Sequence, residues 1–350
     1  MFIRNAWYVA ADEREITDRP LARMILGEDV VLYRQKDGSY AALQNACPHR
    51  KALLSAGKVT DRGLQCGYHG FTFDGHGKCV AAPGEERIPH LSSVKSYPVA
   101  PKYGWLWIWT GDPAEAHGRP IAPMLEPYFN DQWVHARGYH YVAGYYELVT
   151  DNLLDLSHAD FVHAGILGDE RRGVAGKSAV KTRVDGNTVL MSRWDYDDSP
   201  PPFIVPMLNS TENVDWWRIM TWEAPGTLFL DVGGCRAGTS PEQGRRLINT
   251  DLITPATESR THYFWTTARC FETDDPRWTE QLYTMTKAAF DQDQAVIEGQ
   301  QVVLGSQDVR KLRLAVRRND LPVNRAREIL ERLWREEQAA VESAHAAQPV

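Results

Sequence analysis

The 350-residue chain has only five cysteines, at positions 47, 66, 79, 235 and 270. An odd handful spread this widely makes no disulfide framework, and points to thiols kept reduced or bound to metal. An excess of positive charge is also missing: 39 Lys and Arg face 46 Asp and Glu, a net charge of −7. That excludes a nucleic-acid partner held by its phosphates. Apolar runs such as Trp105-Leu-Trp-Ile-Trp109 fall far short of the ~20 residues that cross a bilayer, so no membrane anchor is expected. The opening Met1-Phe-Ile-Arg-Asn-Ala-Trp7 lacks the continuous apolar segment and cleavage site of a secretory signal, which makes the cytoplasm the expected location. There is no fixed-period repeat and no low-complexity tract. What is present, 43% apolar and 24% charged residues, describes a folded chain long enough for two cores.

Residues 1–115 read as a small all-β domain, with short runs at 29–34, 40–43, 71–73 and 105–109 separated by turns. In the last run Trp105, Trp107 and Trp109 alternate with Leu106 and Ile108, so a strand buried on both faces is predicted. A stretch rich in Pro, Ala and Gly at 111–123 marks a linker, with the boundary near 115. Residues 116–350 read as an α+β domain with a largely antiparallel sheet. Its strands are expected near 139–149, 187–194, 216–222, 226–232, 246–253 and 261–270. Helical patterns occupy 147–158, 279–304 and 324–340, and residues 345–350 read as a loose tail.

Two Cys/His pairs stand out: Cys47-Pro-His49 and, 16 residues on, Cys66-Gly-Tyr-His69. Two such loops, brought together by hairpins, place both sulfurs on one metal and both imidazoles on another. That is the ligand set of a Rieske [2Fe–2S] centre. Gly67 and Gly70 would let the backbone approach the cluster. A zinc site is the alternative, although its usual spacing keeps like ligands together. Cys79, Cys235 and Cys270 have no such neighbours and read as buried small hydrophobes.

A second constellation, Asp151-Asn-Leu-Leu-Asp155-Leu-Ser-His158-Ala-Asp-Phe-Val-His163, mixes carboxylates with imidazoles. On one continuous helix Asp151, Asp155 and His158 would share a face, whereas His163 would lie about 140° from His158. Both histidines reach one ion only if the helix ends or bulges between them. The helix at 279–304 supplies a carboxylate. Leu282, Met285, Ala289, Val296 and Ile297 define an apolar arc, Asp293 projects from its middle, and Asp291 and Glu298 point away. A carboxylate on a core-facing arc requires a metal, a cation or several donors. His158, His163 and Asp293 would make the 2-His-1-carboxylate triad of non-haem Fe(II) oxygenases.

With Arg4-Asn-Ala-Trp-Tyr-Val-Ala10, Cys47-Pro-His49-Arg50, Cys66-Gly-Tyr-His69-Gly70, Asp151-Asn-Leu-Leu-Asp155 and Asp291-Gln-Asp293, the chain resembles the Rieske non-haem iron oxygenases. Over almost its full length it looks like the vanillate O-demethylase branch. The resemblance implies an N-terminal Rieske domain, a C-terminal helix-grip catalytic domain and a head-to-tail homotrimer in which one subunit's cluster faces the next subunit's mononuclear iron. Asp155 matches the family's carboxylate that bridges a cluster histidine to an iron histidine, with Asp151 as the competing candidate. Asn152 matches a residue beside the iron. Several relatives carry a histidine where Asp251 stands, and that histidine contacts an aromatic acid. An ionised Asp251 would repel a carboxylate and prefer a hydroxyl or amine, which makes it a candidate substrate contact.

The activity implied is that of a terminal oxygenase using O2 and reductase-supplied electrons, most simply to O-demethylate a methoxylated aromatic with release of formaldehyde. Aryl-methyl hydroxylation or ring dihydroxylation of an aromatic sulfonate or carboxylate is the alternative on the same fold. A Rieske electron carrier and a zinc-stabilised binding module are the alternatives outside it. Gly75-His-Gly77-Lys-Cys-Val80 lacks the third glycine of a dinucleotide loop, so a separate NAD(P)H-dependent flavin/iron–sulfur reductase is implied. The basic run Arg310-Lys-Leu-Arg313 with Arg317-Arg318 reads as a solvated face, with reductase docking as the alternative. Trp216, Trp217, Trp222, Phe229, Phe264 and Trp265 suit either an apolar substrate pocket or plain core packing.

Overall fold

Short strands and turns make up almost all of the first 121 residues of the computed structural model, which describes residues 1–168 and 178–346. One sheet runs β1 (Trp7–Asp12), β11 (Trp105–Trp109), β10 (Val99–Lys102). A second runs β2 (Leu21–Ile25), β3 (Glu28–Arg34), β4 (Tyr40–Gln44), β9 (Ser96–Tyr97), and a third β5 (Lys58–Thr60), β6 (Gly63–Gln65), β7 (Thr72–Phe73), β8 (Cys79–Ala81). All five residues of β11 are buried between two neighbours, as the alternating tryptophans predict. The chain divides into compact units at 121/122, beyond the linker midpoint near 115, and residues 254–258 group with the first unit. There Pro255 and Ala256 carbonyls accept the N–H groups of Leu26 and Gly27, and Thr254 Oγ1 donates to the Val9 carbonyl, each at 2.8 Å.

The second unit is built on a seven-stranded antiparallel sheet in the order β12 (Val134–Val142), β18 (Arg260–Arg269), β17 (Arg245–Thr257), β16 (Thr227–Arg236), β15 (Val214–Glu223), β14 (Thr188–Asp198), β13 (Lys181–Asp185). A one-turn helix, α1 (Pro113–Ala116), closes the first unit; α2 (Tyr146–Leu154), α3 (Ala159–Val162), α4 (Ile204–Leu208), α5 (Pro276–Leu304) and α6 (Leu321–Ala346) belong to the second. The long helix α5 packs on β12 and β18 and meets α2 and α3. Its start is held firmly. Asp275 caps the Arg277 N–H, Pro276 takes the first helical position, and the fully buried Arg269 donates to the carbonyls of Glu272 and Asp275 and to Thr279 Oγ1. Asp293 is thereby set at a fixed height above the sheet.

Several expected boundaries move. The strand expected at 139–149 covers 134–142 and gives way to α2 at Tyr146, and β13 was not anticipated. Helix α5 begins three residues earlier than its apolar period suggests, because capping rather than hydrophobicity sets its start, and Val296 is 42% exposed instead of joining the apolar arc. Helix α6 extends to Ala346, which takes residues 345 and 346 out of the expected tail; 347–350 lie outside the described residues. Ala326, Ile329 and Leu330 are buried, so α6 packs on its own unit. No helix among the described residues is long and apolar enough to cross a membrane.

Candidate metal centres and cavity

The two Cys/His loops of the first unit repeat one conformation. In each, the Cys N–H donates to the carbonyl five residues on (Cys47 to Ala52, 2.9 Å; Cys66 to Phe71, 2.7 Å), and the Cys carbonyl accepts the N–H four residues on, from Lys51 at 2.8 Å and Gly70 at 3.1 Å. The closing residue takes a positive φ in both, 57° at Lys51 and 76° at Gly70. Gly70 meets this demand without a Cβ clash, which accounts for glycine there. Cys47 and Cys66 are each 2% exposed inside the core, their thiols in mutual contact, and burial pushes the Cys47 thiol up. His49 and His69 stand exposed on the outside, ring centroids 4.6 Å apart. Phe71 stacks on the first ring, and Tyr68 lies at a tilt against the second. Sulfurs inside and imidazoles outside suit two metals rather than one. Among the described residues, the only ligand atoms that converge within 4.8 Å as a group of three lie elsewhere, so these four are spread too widely for one Zn²⁺ with bonds of about 2.0–2.3 Å. Of the remaining cysteines, Cys79 and Cys235 are buried but Cys270 is exposed.

That converging trio is His158, His163 and Asp293. Helix α2 ends at Leu154 because Asp155 leaves helical geometry (φ −113°, ψ 84°), and a single 3-10 turn, Leu156–His158, leads into the four-residue α3. This interruption meets the condition that the spacing of the two histidines sets, although it comes at Asp155, before His158, inside the helical pattern read at 147–158. His158 and His163 sit at the two ends of α3, and their rings converge to 5.1 Å. His158 Nδ1 donates to the Asp155 carbonyl (2.6 Å), and His163 Nδ1 donates to the Gln292 amide oxygen (2.9 Å). Both partners are acceptors, so each ring carries its proton on Nδ1 and presents a lone pair at Nε2. Those lone pairs face Asp293, His158 Nε2 at 3.4 Å from one carboxylate oxygen and His163 Nε2 at 3.2 Å from the other. Two lone pairs aimed at a carboxylate 3% exposed repel it unless a cation lies between, so this donor set fits a divalent metal.

The surrounding residues complete the geometry. Asn152 Nδ2 donates to Asp293 Oδ1 at 3.0 Å. Asp155 Oδ1 caps the Ser157 N–H (3.0 Å), and its other oxygen has no hydrogen-bond partner among the described residues. Asp151 instead pairs with Arg327 of α6 through both guanidinium nitrogens, so it does not share a face with Asp155 and His158. Gln292 was not singled out by sequence, although it lies inside the Asp291-Gln-Asp293 tract. A buried chain behind it was also missed: Trp265 Nε1 donates to His140 Nδ1 (2.9 Å), so His140 Nε2 carries the proton shared with Asp291 (2.9 Å). Asp291 points away from the core but is held there and by Lys287, and Glu298, expected to point outward, accepts the Ala143 N–H.

A cavity of about 90 Å³ is lined in part by Ala159, Asp160, Ala289 and Phe290, neighbours of the trio on α3 and α5. Its walls are Trp216, Leu230, Val232 and Leu247 from the sheet and Ala289 and Phe290 from α5, with Asp160, Arg218 and Asn249 among its polar groups. Of the six aromatics noted in the sequence only Trp216 lines it; the others are packed elsewhere in the core. Asp251 does not line it either. It is 1% exposed and accepts the Tyr263 hydroxyl at 2.9 Å, and burial pushes its carboxyl up to about 7. Asn249, one step along the same face of β17, takes the wall position expected of Asp251. In the basic run, Arg310 turns inward to Asp308 and Glu147 while Lys311, Arg313, Arg317 and Arg318 remain exposed.

A β domain with paired Cys/His loops, followed by an α+β domain with a 2-His-1-carboxylate trio, defines an oxygenase of the Rieske class. Residues 6–98 match the Rieske [2Fe-2S] domain, and residues 142–336 match the Vanillate O-demethylase oxygenase C-terminal domain. The chain is 35% identical to the vanillate O-demethylase oxygenase subunit of a Pseudomonas species, covering 98% of both chains. It is 34% identical to the toluene-4-sulfonate monooxygenase system iron-sulfur subunit of Comamonas testosteroni, over 96% of this chain and 98% of that one. Dicamba monooxygenase bound to 3,6-dichlorosalicylic acid superposes with a TM-score of 0.88 at 32% identity, covering 97% of this chain and 99% of that one; the same enzyme with non-haem iron and dicamba gives 0.82 at 31%, with the same coverage. The chain belongs to the vanillate O-demethylase family of Rieske oxygenases. It is an oxidoreductase, the oxygenase component of a Rieske system, and the electron-carrier and zinc-module readings fall with that assignment.

Proposed function

We propose that this chain is a cytoplasmic monooxygenase component that O-demethylates a methoxylated aromatic compound, working as a head-to-tail homotrimer with a separate NAD(P)H-dependent flavin/iron–sulfur reductase. The observation that carries this reading is an apolar cavity lined by residues next to His158 on α3 and by residues of α5 before Asp293. In it Cys47 and Cys66 would hold one iron of a [2Fe–2S] cluster, His49 and His69 the other, and His158, His163 and Asp293 an Fe(II). When bound, the cluster supplies single electrons and the Fe(II) site supplies O2 activation.

The protein's own part is positional. Asn152 holds the Asp293 carboxylate, Gln292 and the Asp155 carbonyl fix the two imidazole tautomers, and the apolar cavity wall would face the methyl group. The unpartnered oxygen of Asp155 would accept a histidine N–H from a second copy, the bridging role. Oxygen insertion into a methyl C–H bond gives a hemiacetal, which collapses to a phenol and formaldehyde. The Gly75-His-Gly77 run lies in the β7–β8 hairpin, its Asp74 capping the N–H groups of His76 and Lys78, which supports an external source of reducing power. The relatives' designation as oxygenase subunits supports it too.

The likeness to the toluene-4-sulfonate system favours a second reading, hydroxylation of an aryl methyl group. O2 uptake and formaldehyde release, measured over a panel of methoxybenzoates, methoxyphenols and methylated aryl sulfonates with a surrogate reductase, separate the two. Formaldehyde in step with O2 supports demethylation. A benzylic alcohol without formaldehyde replaces it with the second reading.

A further inference from the structure

Two neighbouring strands of the large sheet are buried along their central stretches, and each opens at one point. In β17 every residue from Leu247 to Ala256 is buried except Asn249, and in β16 every residue from Thr227 to Cys235 is buried except Leu230. These two are cross-strand partners. Both line the cavity, so the surface they keep faces into it.

The two differ chemically. Leu230 matches the surrounding wall of Phe203, Trp216, Val232, Leu247 and Phe290, whereas Asn249 puts an amide into it. Strands disfavour asparagine, and an amide among apolar groups is costly unless a partner takes up its hydrogen bonds. The other polar side chains of the wall on α3, α5 and β15 have partners. Thr286 Oγ1 shares a hydrogen bond with Thr267 Oγ1 (2.9 Å), Arg218 is paired with Asp195 and stacked on Trp216, and Asp160 is engaged within the protein. Among the described residues, the Asn249 side chain has no hydrogen-bond partner, which leaves its donor Nδ2 and acceptor Oδ1 for a guest of the cavity. An amide offers both kinds of hydrogen bond and no net charge. Its complement on an aromatic ring is a hydroxyl, which also donates and accepts. A carboxylate or sulfonate only accepts, would leave Oδ1 facing an anion, and would gain no counter-charge from this residue for the hydration it sheds.

We propose that Asn249 is a specificity-determining residue that hydrogen-bonds an uncharged substituent of the substrate ring, a hydroxyl, and so selects hydroxylated rings over apolar ones of the same shape. This deepens the monooxygenase reading of the cavity and rests on it. The polar contact that the sequence pattern assigns to position 251 is made one step along the strand, by a neutral amide in place of a buried carboxyl.

The test is anaerobic calorimetric titration of the metal-loaded protein with the three isomeric methoxyphenols and the matching methoxytoluenes, in which a methyl group replaces the hydroxyl at similar volume. The methyl compound leaves a desolvated amide unpaired, so at least one methoxyphenol should bind about tenfold tighter than its methoxytoluene. Asn249→Val suits a strand and removes both amide atoms. In it the ratio should fall to one or below while the methoxytoluene still binds, which also reports an intact cavity. Asn249→Thr has the shape of valine with a hydroxyl in place of one methyl, and should keep part of the preference. It carries the test should the valine variant not fold. Equal affinities within all three pairs in the wild-type protein, a ratio that survives Asn249→Val, or a ratio unmoved in Asn249→Thr would overturn the proposal. Formaldehyde assays on the methoxyphenols keep the readings apart: hydroxyl-selective binding without formaldehyde refutes demethylation alone, and formaldehyde without hydroxyl selectivity refutes the role of Asn249 alone.

Discussion

Replacing Asn152 with Ala tests whether the trio is a metal site whose carboxylate must be held in place. Among the described residues, the hydrogen bond removed in the site is the 3.0 Å bond from Asn152 Nδ2 to Asp293 Oδ1. Asp293 is 3% exposed, so the lost donor is not replaced by bulk water. A hydrogen bond to a charged group is worth about 1.5–3 kcal/mol, and loss of a supporting partner of this kind weakens metal affinity about 10–100-fold. The histidines keep their own supports in the Asp155 carbonyl and Gln292, so the site should loosen rather than disappear. Competition with a coloured Fe(II) chelator reads the affinity directly, and turnover should fall with occupancy and return when Fe(II) is added in excess. Iron affinity within twofold of wild type together with lost turnover would refute the reasoning and move Asn152 from holding the carboxylate to a direct role in the chemistry.

Other outcomes follow from the same geometry. Asp155→Asn keeps a side-chain oxygen for the Ser157 N–H and leaves the backbone carbonyl to His158, so both metal centres should remain loaded while turnover drops about 100-fold; normal coupled turnover would remove Asp155 from the bridging role. Iron analysis should give about three irons per chain, and about two in Asp293→Ala with the Rieske paramagnetic resonance intact; loss of that resonance would mean the two centres are not independent. His135 donates to the Tyr128 carbonyl, and burial holds its pKa down to about 4 against an ordinary 6.5. Its stabilisation is complete above about pH 6.5; as pH falls toward 4 the unfolded chain takes up a proton that the folded chain refuses, and up to about 3 kcal/mol is lost, a slope that His135→Gln should flatten in denaturant titrations. A Cβ on Gly138 would lie 2.0 Å from the Trp265 ring, so Gly138→Ala should cost about 1–3 kcal/mol and lower the Tm, and an unchanged Tm would contradict the packing of β12 on β18.

Residue type and spacing alone determined the α+β class, the two Cys/His pairs and the choice of Asp293, because ligand chemistry and helical periodicity are local properties. Asp293 was legible since a carboxylate at the centre of an apolar arc is costly to bury without a partner. The convergence of His158 and His163 was not. It depends on α2 stopping at Asp155, a break that no proline or glycine announces and that the sequence reading stated only as a condition. The partners at long sequence distance were likewise decided by the tertiary structure: Asp151 with Arg327, His163 with Gln292, His140 with Trp265, Arg218 with Arg193 and Asp195. So was the fate of Asp251, which a strand pattern places on the pocket face but which Tyr263 shuts away from the cavity. Periodicity states which way a side chain faces along its own element; only the packing of one element on another states what it meets there, and in this protein those meetings separate structural charges from those beside the metal site and the cavity.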